Sequence, residues 1–233
     1  MRNLVIGDIH EPVSHPAYLR FCEDMYVKYD CNHVTFIGDL TDWHAISFHA
    51  QNPESPGPKD EYELARVKIS KWVFKFPKAV VCIGNHDERV IRLASSVNIP
   101  PALLRTYREI WKTPRWRWVH EFIMDDVFYF HGTGSAGIHP AYTAMTKRLM
   151  SVVQGHIHSA AGIKWRASPQ RRTFGMDTGC GIDDQAVAFA YGRANPIRSI
   201  ISVGLVIDGI PYHEVMPMAR GERYHKSRFK HKR

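Results

Sequence analysis

The feature that most constrains this chain is a series of short apolar segments that each end abruptly in Asp, Asn or His. A short apolar segment is typical of a buried strand, whereas the polar residues after it no longer pack in a core. The polar clusters follow one another along the sequence as Asp8-Ile9-His10, Gly38-Asp39-Leu40-Thr41-Asp42, Gly84-Asn85-His86-Asp87, His131-Gly132 and Gly155-His156-Ile157-His158. Because ligands of open α/β sheets bind at the carboxyl ends of the strands, the series predicts one site at one sheet edge.

Helical periodicity separates the first strands. Apolar residues recur at i, i+3 and i+4 over residues 15–29 and 60–76, and another helix is expected over 87–96. Strands that alternate with helices predict parallel strands joined by crossover helices. From residue 118 the pattern predicts mostly strands. The predicted strands are 3–7, 33–37, 79–83, 118–124, 127–130, 151–154, 172–176, 186–190, 200–207 and 210–215.

Two residue pairs, Asp125-Asp126 and Asp208-Gly209, are typical of tight hairpin turns. Together with the change from alternating strands and helices to mostly strands, they predict an α/β (α+β) chain with two sheets. No long linker divides the sequence, so we expect one domain over residues 1–219.

The net charge of +8 at pH 7 is concentrated at the C-terminus, since residues 220–233 contain seven Lys and Arg against one Glu. We interpret this segment as a basic, flexible tail. Such a tail is either a solvated end or a segment that binds a polyanion, for which nucleic acid is the main candidate.

We expect neither a membrane span nor a signal peptide. No apolar run approaches the roughly 18 residues of a membrane span, and the apolar segment at the N-terminus is too short for a signal peptide. Four scattered cysteines form no C-x-x-C pair, which argues against a zinc knuckle and a disulfide framework. We therefore expect a cytoplasmic protein without a membrane partner.

The residue types in the polar clusters favour metal ions. Asp8 and His10 are two residues apart, as are His156 and His158, so in extended backbone the members of each pair point to the same side. Carboxylate, amide and imidazole groups together suit Mn²⁺, Fe or Zn²⁺ better than a thiolate site would. The clusters hold more ligands than one ion needs, so we expect two divalent ions. Mn²⁺ is the first choice, with Fe, Zn²⁺ or Ni²⁺ as alternatives.

In this order the clusters resemble the calcineurin-like metallophosphoesterase family, whose signature runs D-x-H, G-D-x-x-D, G-N-H-[DE], a later His-Gly and G-H-x-H. The resemblance extends from Asp8 to His158. It implies that family's fold, a four-layer αββα sandwich with two mixed β-sheets flanked by helices. It also implies hydrolysis of phosphate esters by a hydroxide that two metal ions activate, without a phospho-enzyme.

The resemblance also implies roles for individual residues. His86 would face the phosphate and either stabilise its charge or protonate the leaving oxygen. Asp42 would hydrogen-bond the other nitrogen of His86, although it is also compatible with an ordinary turn residue. The first ion would be bound by Asp8, His10 and His158, the second by Asn85, His131 and His156, and Asp39 would bridge both.

Two positions differ from the Ser/Thr phosphatase branch of that family. The branch has Arg directly after G-D-x-x-D, where this chain has Trp43, and it usually ends the third block with Glu, where this chain has Asp87. Both differences speak against a phosphoprotein phosphatase, and G-N-H-D is more typical of phosphodiesterases and nucleases. Arg89, one turn into the next helix, is either a replacement phosphate ligand or a surface charge.

We therefore predict a metal-dependent phosphoesterase that favours phosphodiesters of nucleotides or nucleic acids. The alternative enzyme is a phosphomonoesterase acting on small molecules or phosphoproteins. The least favoured hypothesis is a non-catalytic metal-binding scaffold, because Asp42 and His86 are not needed merely to hold metal.

Two further segments are open to two interpretations. Residues 111–118 interleave Trp with Arg and Lys, which is compatible with base stacking but more typical of a half-buried strand. Residues 175–184 are rich in glycine and are expected to form a loop. The resemblance to the family implies that the backbone of this loop lines the site, with Asp177 and Cys180 beside it or in the core.

Overall fold

Two β-sheets lie between helices in the computed structural model, which describes residues 1–48, 53–184, 186 and 199–217. The strands are β1 (Arg2–Ile6), β2 (His33–Phe36), β3 (Ala79–Cys82), β4 (Trp116–Val119), β5 (Glu121–Met124), β6 (Val127–Phe130), β7 (Ser151–Gln154), β8 (Ala161–Ala167), β9 (Arg172–Thr178), β10 (Ser202–Ile207) and β11 (Ile210–Val215). The α-helices are α1 (Tyr18–Lys28), α2 (Pro58–Lys75), α3 (Arg89–Ser96), α4 (Tyr107–Ile110) and α5 (Pro140–Arg148), and 3-10 helices span His44–Ile46 and Pro101–Leu103.

Both sheets are mixed. The first has the strand order β11-β10-β1-β2-β3-β4 and the second the order β5-β6-β7-β9-β8. Strands β1 to β4 are parallel, whereas β10 runs antiparallel to β1 and β11 antiparallel to β10. In the second sheet β6, β7 and β9 are parallel, and the edge strands β5 and β8 are antiparallel to their neighbours.

Apolar clusters on both faces of each sheet hold four layers together. Leu4 of β1 and Trp72 of α2 belong to the cluster between the first sheet and its helices. Val5, which points to the opposite face of β1, joins Met176 of β9 in the cluster between the sheets. Met145 of α5 packs on the outer face of the second sheet. The order helix, sheet, sheet, helix confirms the αββα sandwich.

The two predicted hairpin turns are also confirmed. Asp125 and Asp126 join β5 to β6, and Asp208 and Gly209 join β10 to β11. All four residues have positive φ. Two consecutive residues with positive φ are what a two-residue turn needs if it is to match the twist of the strands.

Several predicted elements differ from the structure. Residues 118–124 are not one strand, because the chain leaves the first sheet after β4 and enters the second with β5. Between α3 and β4 the structure adds a 3-10 turn and the short helix α4, which the helical periodicity did not indicate. The first residues of the predicted glycine-rich loop 175–184 belong to β9, so the loop begins at Gly179. The predicted strand 186–190, except for residue 186, and the tail 220–233 lie outside the described residues.

Helix α5 and strand β8 have no counterpart in the sequence prediction. The side chains of β8 are half-buried or exposed along its whole length. It therefore lacks the apolar run or the alternation by which strands are recognised.

The tryptophans of residues 111–118 pack inside the protein. Trp111 is 3% exposed and Trp116 is 1% exposed. The Trp116 ring stacks on Phe36 with centroids 4.6 Å apart, and its Nε1 donates to the Phe76 carbonyl at 2.8 Å. The interpretation as a half-buried strand is confirmed, and stacking of nucleic-acid bases on these two rings is excluded.

The ends of the parallel strands define one functional edge. The carboxyl ends of β1, β2 and β3 lie side by side, as do those of β6 and β7. A bridge between the backbones of Asp8 and Cys180 adds the loop after β9 to this edge. Within the described ranges, no helix has both the length and the hydropathy needed to cross a membrane.

Candidate metal centre

The polar clusters meet at the edge where the parallel strands of both sheets end. Residues from the first sheet and from the second sheet thereby face one another across a short distance. The predicted ligands that come after successive strands are Asp8 (β1), Asp39 (β2), Asn85 (β3), His131 (β6) and His156 (β7).

Four side chains form a first potential metal-binding group. Ligand atoms of Asp8, His10, Asp39 and His158 all lie within 4.8 Å of one another. His158 Nε2 is 3.3 Å from Asp8 Oδ2, and His10 Nε2 is 3.6 Å from Asp39 Oδ2. The group contains the three residues assigned to the first ion, together with the proposed bridge.

A second group shares Asp39 with the first. Ligand atoms of Asp39, His131 and His156 also lie within 4.8 Å of one another. His131 Nε2 is 3.2 Å from Asp39 Oδ2 and 3.0 Å from Asn85 Oδ1, which adds the fourth predicted ligand. Asp39 thus occupies the position that a carboxylate bridging two ions requires.

The surroundings of His131 fit a cation. Its Nδ1 lies 3.2 Å from the Ile37 carbonyl and donates its hydrogen there. Its Nε2 then faces the oxygens of Asn85 and Asp39, which both act as acceptors. A metal ion at this point would bind the Nε2 lone pair and both oxygens. Metal-binding histidines usually donate their other N–H to a backbone carbonyl or a carboxylate, as His131 does.

The carboxylate of Asp8 also fits a bound cation. Its Oδ2 accepts a hydrogen bond of 2.8 Å from the His156 backbone nitrogen. Its Oδ1 is buried and has no hydrogen-bond partner among the described residues. An unsatisfied buried carboxylate oxygen is costly, and coordination of a cation would compensate that cost. The donor set therefore fits metal ions.

The side chains alone create a negative environment. Burial lowers the pKa of His131, but the charges of Asp39 and Asp8 outweigh it and raise the value to about 10. Burial raises the pKa of Asp39, but the neighbouring histidines hold it well below its usual range, so this carboxylate is ionised. Burial is the main reason that the pKa of His10 falls to about 4, which keeps its imidazole neutral and able to act as a ligand.

The carboxylate of Asp42 contacts two histidines instead of the predicted one. Asp42 Oδ1 is 2.9 Å from His10 Nδ1 and 3.3 Å from His86 Nδ1. The closer acceptor for His86 Nδ1 is the Asp42 backbone oxygen, at 2.7 Å. The predicted contact to His86 is therefore present, but the shorter carboxylate contact is to His10. Because it holds Nδ1, Asp42 directs Nε2 of His10 into the first metal-binding group.

His86 and Arg89 lie together at the half-buried mouth of the site. The His86 backbone nitrogen donates to Asp39 Oδ1 at 2.8 Å, and its Nε2 lies 3.0 Å from Arg89 Nη2. Arg89 Nη1 donates to the backbone oxygens of Asp42 and Trp43 at 2.6 and 3.1 Å. The Arg89 guanidinium is thus inside the site, in contrast to the surface position that the sequence also allowed.

Trp43 points away from the site. Its ring lies nearly parallel to Tyr62, with centroids 6.3 Å apart, and it also packs on Trp111. The residue directly after G-D-x-x-D therefore belongs to an aromatic cluster. The positively charged side chain that enters the site near Trp43 is instead that of Arg89 in α3.

Asp87 has a structural role that the sequence analysis missed. Its Oδ1 accepts from the Leu40 backbone nitrogen at 3.0 Å, and its Oδ2 accepts from the Gly84 nitrogen at 2.9 Å. Burial, followed by the charge of Asp39, raises the pKa of Asp87 to about 7. Asp87 thereby ties the loop after β2 to the turn after β3. The motif in the sequence indicated Asp87, but it did not indicate the backbone groups that donate hydrogen bonds to its carboxylate.

The loop after β9 lines the site with backbone, as expected for residues 175–184. The Gly181 nitrogen donates to the Asp8 carbonyl at 2.7 Å. Cys180 is fully buried, and burial raises the pKa of its thiol to about 12. Asp177 lies elsewhere, because it accepts from the Ala141 nitrogen at the start of α5. Cys180 is a packing residue, and Asp177 anchors a helix.

Gly84→Ala is expected to disturb the site. A β-carbon at position 84 would overlap Asp39 Oδ1 and the Asp39 backbone nitrogen. We expect the free energy of unfolding to fall by about 1–3 kcal/mol, as in other overpacked positions, and bound metal to decrease. Thermal unfolding and elemental analysis measure both effects.

Gly57→Ala is the matched control, because nothing lies within 4 Å of a β-carbon at position 57. This variant should retain its stability and its metal. Equal behaviour of the two variants would contradict the close approach of Gly84 to Asp39.

Comparisons with known proteins are consistent with this geometry. A family model described as calcineurin-like phosphoesterase matches residues 1–173. No curated protein sequence matches the chain.

Solved structures of similar fold have low sequence identity to this chain. Vps29 from Chaetomium thermophilum is 12% identical, with a TM-score of 0.47 over 93% of this chain and 92% of that chain. The phosphoesterase Yfce from E. coli is 15% identical, with a TM-score of 0.42 over 89% and 88%. The nuclease MPE from Pseudomonas putida is 13% identical, with a TM-score of 0.41 over 91% and 87%. Similarity at this level does not bear on activity or substrate.

Proposed function

The chain belongs to the calcineurin-like phosphoesterase family, and on this premise we propose that it is a metal-dependent hydrolase of phosphodiesters in nucleotides or nucleic acids. The observation that carries the proposal is the position of Asp39. It belongs to both potential metal-binding groups, and its Oδ1 accepts a hydrogen bond from the backbone of His86. One carboxylate thus connects the metal ligands with the group proposed to meet the phosphate.

Two divalent ions fit the two ligand groups that share Asp39. When bound, they would neutralise charge on the phosphate and lower the pKa of the attacking water. Mn²⁺ is our first choice because the carboxylate and amide oxygens suit it, and the imidazoles keep Fe, Zn²⁺ and Ni²⁺ as alternatives. Asp8, His10 and His158 would hold the first ion, and Asn85, His131 and His156 the second, with Asp39 between them.

His86 would act on the leaving oxygen of the ester. Burial lowers its pKa, but the charges of Asp39 and Asp42 outweigh burial and raise it above the ordinary value. These charges favour the protonated form of the imidazole, and the side chain lies at the mouth of the site. A positioned imidazole with a pKa near the working pH is an effective general acid.

Arg89 would bind the non-bridging oxygens of the phosphate. Its guanidinium is held by two backbone carbonyls and lies against His86. This fixed position limits the entropy lost when it binds an anion. A phosphodiester carries one negative charge fewer than a doubly ionised monoester, so one guanidinium beside the metal ions suits it. This argument supports the preference for diesters.

Hydrolysis of two chromogenic esters tests the proposal. The protein should be stripped with a chelator and reconstituted separately with Mn²⁺, Fe²⁺, Zn²⁺ and Ni²⁺. We expect hydrolysis of bis-p-nitrophenyl phosphate to exceed that of p-nitrophenyl phosphate. A preference for the monoester would favour the phosphomonoesterase alternative. Inactivity on both esters with every metal would contradict the enzyme and support the scaffold.

The basic tail provides a separate prediction. The last described strand, β11, ends next to the start of β10, which in turn pairs with the end of β1 where Asp8 follows. The last described residues of the chain therefore lie at the edge that carries the site. Deletion of residues 220–233 should weaken binding of single-stranded DNA and reduce the salt dependence of the affinity, because fewer cations then contact phosphates. Fluorescence anisotropy at several salt concentrations measures both, and an unchanged salt slope would contradict a role for the tail.

A further inference from the structure

Strands β8 and β9 form a hairpin that begins beside the metal centre. Its base is the pair Ala161 and Thr178, and its outer end is the pair Ala167 and Arg172. Ala161 comes three residues after His158, and Thr178 precedes the loop that pairs with Asp8. Seven residues of strand extend about 23 Å. The hairpin therefore connects the site with a distant part of the surface.

Four cations lie on the outer part of this hairpin: Lys164, Arg166, Arg171 and Arg172. All four are exposed. The one acidic residue between 161 and 178 is Asp177, which is 8% exposed and anchors α5. No ion pair joins Lys164, Arg166 or Arg172 to an acidic residue in the described part of the chain. The outer hairpin thus presents positive charge that the described residues do not neutralise.

An exposed tryptophan lies between two of these cations in the sequence and projects to the opposite face of β8. Trp165 is 52% exposed, and one side of its ring meets Phe174 at a centroid distance of 5.6 Å. Lysine on an edge strand is a common device against edge-to-edge pairing, and it accounts for the charges by itself. It does not account for an exposed indole between two cations. This combination is typical of surfaces that bind single-stranded nucleic acids.

We infer that the β8–β9 hairpin binds the strand of a single-stranded nucleic-acid substrate beyond the phosphate that is hydrolysed. Trp165 stacks on an unpaired base, and Lys164 and Arg166 contact backbone phosphates. The two cations are two residues apart, so they project to the same side about 7 Å from each other. Because β8 is an edge strand, a nucleic-acid strand lying along it reaches side chains on both faces of the sheet. The inference rests on the proposed function for its substrate class.

Binding of a fluorescein-labelled oligodeoxynucleotide of about 12 nucleotides tests the inference. The full-length protein is used with a chelator present, so that the oligonucleotide is not cleaved. Trp165→Ala should raise the Kd at least about 5-fold, in keeping with the loss of one stacked base, and Trp165→Phe should restore most of the affinity. Lys164→Glu/Arg166→Glu should raise the Kd further and reduce its salt dependence.

Matched controls lie on α2. Phe74 is 80% exposed with Lys75 over its ring, so Phe74→Ala removes an aromatic residue that is near a cation and even more exposed than Trp165. Lys59→Glu/Lys71→Glu makes the same charge change at exposed positions. We expect both controls to bind like the parent protein. Circular dichroism and thermal unfolding verify that every variant is folded.

The possible results separate the two proposals. Hydrolysis of bis-p-nitrophenyl phosphate, which is too small to extend along the hairpin, should be unchanged in all hairpin variants. If the parent protein is inactive on this ester, the proposed enzymatic function is contradicted. If Trp165→Ala nevertheless weakens oligonucleotide binding, the proposed role of the hairpin is supported. If the enzyme is active but its hairpin variants bind the oligonucleotide as the controls do, the proposed role of the hairpin is overturned. The hairpin proposal would also be overturned if the hairpin variants differed from the parent protein only in their molecular mass in solution. That result would show that the edge strand β8 pairs with a second copy of the chain.

Discussion

Asp39→Ala is expected to abolish binding of both metal ions and to lower kcat/KM for bis-p-nitrophenyl phosphate by at least about 10³-fold. The magnitude corresponds to about 4 kcal/mol of transition-state stabilisation, which is in the range that metal ions supply. Asp39 belongs to both ligand groups, so its removal takes one ligand from each. It also leaves two positive ions without the shared negative charge that offsets their repulsion.

Elemental analysis after gel filtration and initial-rate kinetics test this expectation. Asp60→Ala is a suitable control, since Asp60 is exposed in the first turn of α2. This control should retain metal and activity. A variant without Asp39 that still bound two ions would show that the bridge is misassigned.

His86→Ala has the opposite pattern, because it should keep both metal ions and still lose turnover. We expect kcat to fall by about 10²- to 10⁴-fold, the usual contribution of a positioned acid or base. His86 belongs to neither ligand group that shares Asp39. Its backbone nitrogen, which donates to Asp39 Oδ1, is unaffected by the substitution. The metal ligands should therefore keep their positions.

The choice of substrate separates two possible actions of His86. p-Nitrophenolate leaves without much help from an acid, whereas the sugar oxygen of a dinucleotide must be protonated. If His86 donates a proton, the alanine variant should lose more activity on a dinucleotide than on bis-p-nitrophenyl phosphate. An equal loss on both substrates would indicate that His86 stabilises phosphate charge instead.

His120→Ala controls for the loss of an imidazole, because the His120 side chain is largely exposed and belongs to none of the potential metal-binding groups of the described residues. This variant should have the kinetics of the parent protein. Full activity of His86→Ala would remove His86 from the mechanism. Loss of metal from His86→Ala would instead place it among the ligands, with His10 and Asp42, to which it is close.

Much of the fold was predictable, because each local pattern has a local physical cause. The run around Val5 is apolar on successive residues because both faces of β1 are covered. The turns at Asp125-Asp126 and Asp208-Gly209 were recognisable because few residue types accept positive φ. Strand β8 was not predictable, because an edge strand that lies largely in solvent needs no apolar alternation. Its sequence Lys164-Trp165-Arg166 did carry a signal, namely an aromatic residue between cations.

The candidate site was predictable at the level of residue identity. Asp8, Asp39 and His131 each follow directly on a strand or within a few residues of its end. Parallel strands bring such positions to one edge whatever the details of packing. The order of the clusters also carried the resemblance to the family, and the match over residues 1–173 is in agreement with it.

The contacts among these residues were not predictable. The carboxylate of Asp42 lies closer to His10 than to His86, Arg89 reaches the carbonyls after β2, and Asp87 joins two loops. Each of these contacts depends on how segments far apart in the sequence are oriented against one another. A change of one or two ångströms in that packing exchanges one hydrogen-bond partner for another.

The sequence by itself thus determined which residues gather at the site, because strand ends and turns depend on neighbouring residues. Only the tertiary structure decided which of them touch. It showed that Asp39 is shared by two ligand groups, and that Trp43 is turned into an aromatic cluster while Arg89 enters the site. The physical reason is that side-chain contacts follow from the angle and spacing at which the sheets and helices pack, and no local pattern specifies those quantities.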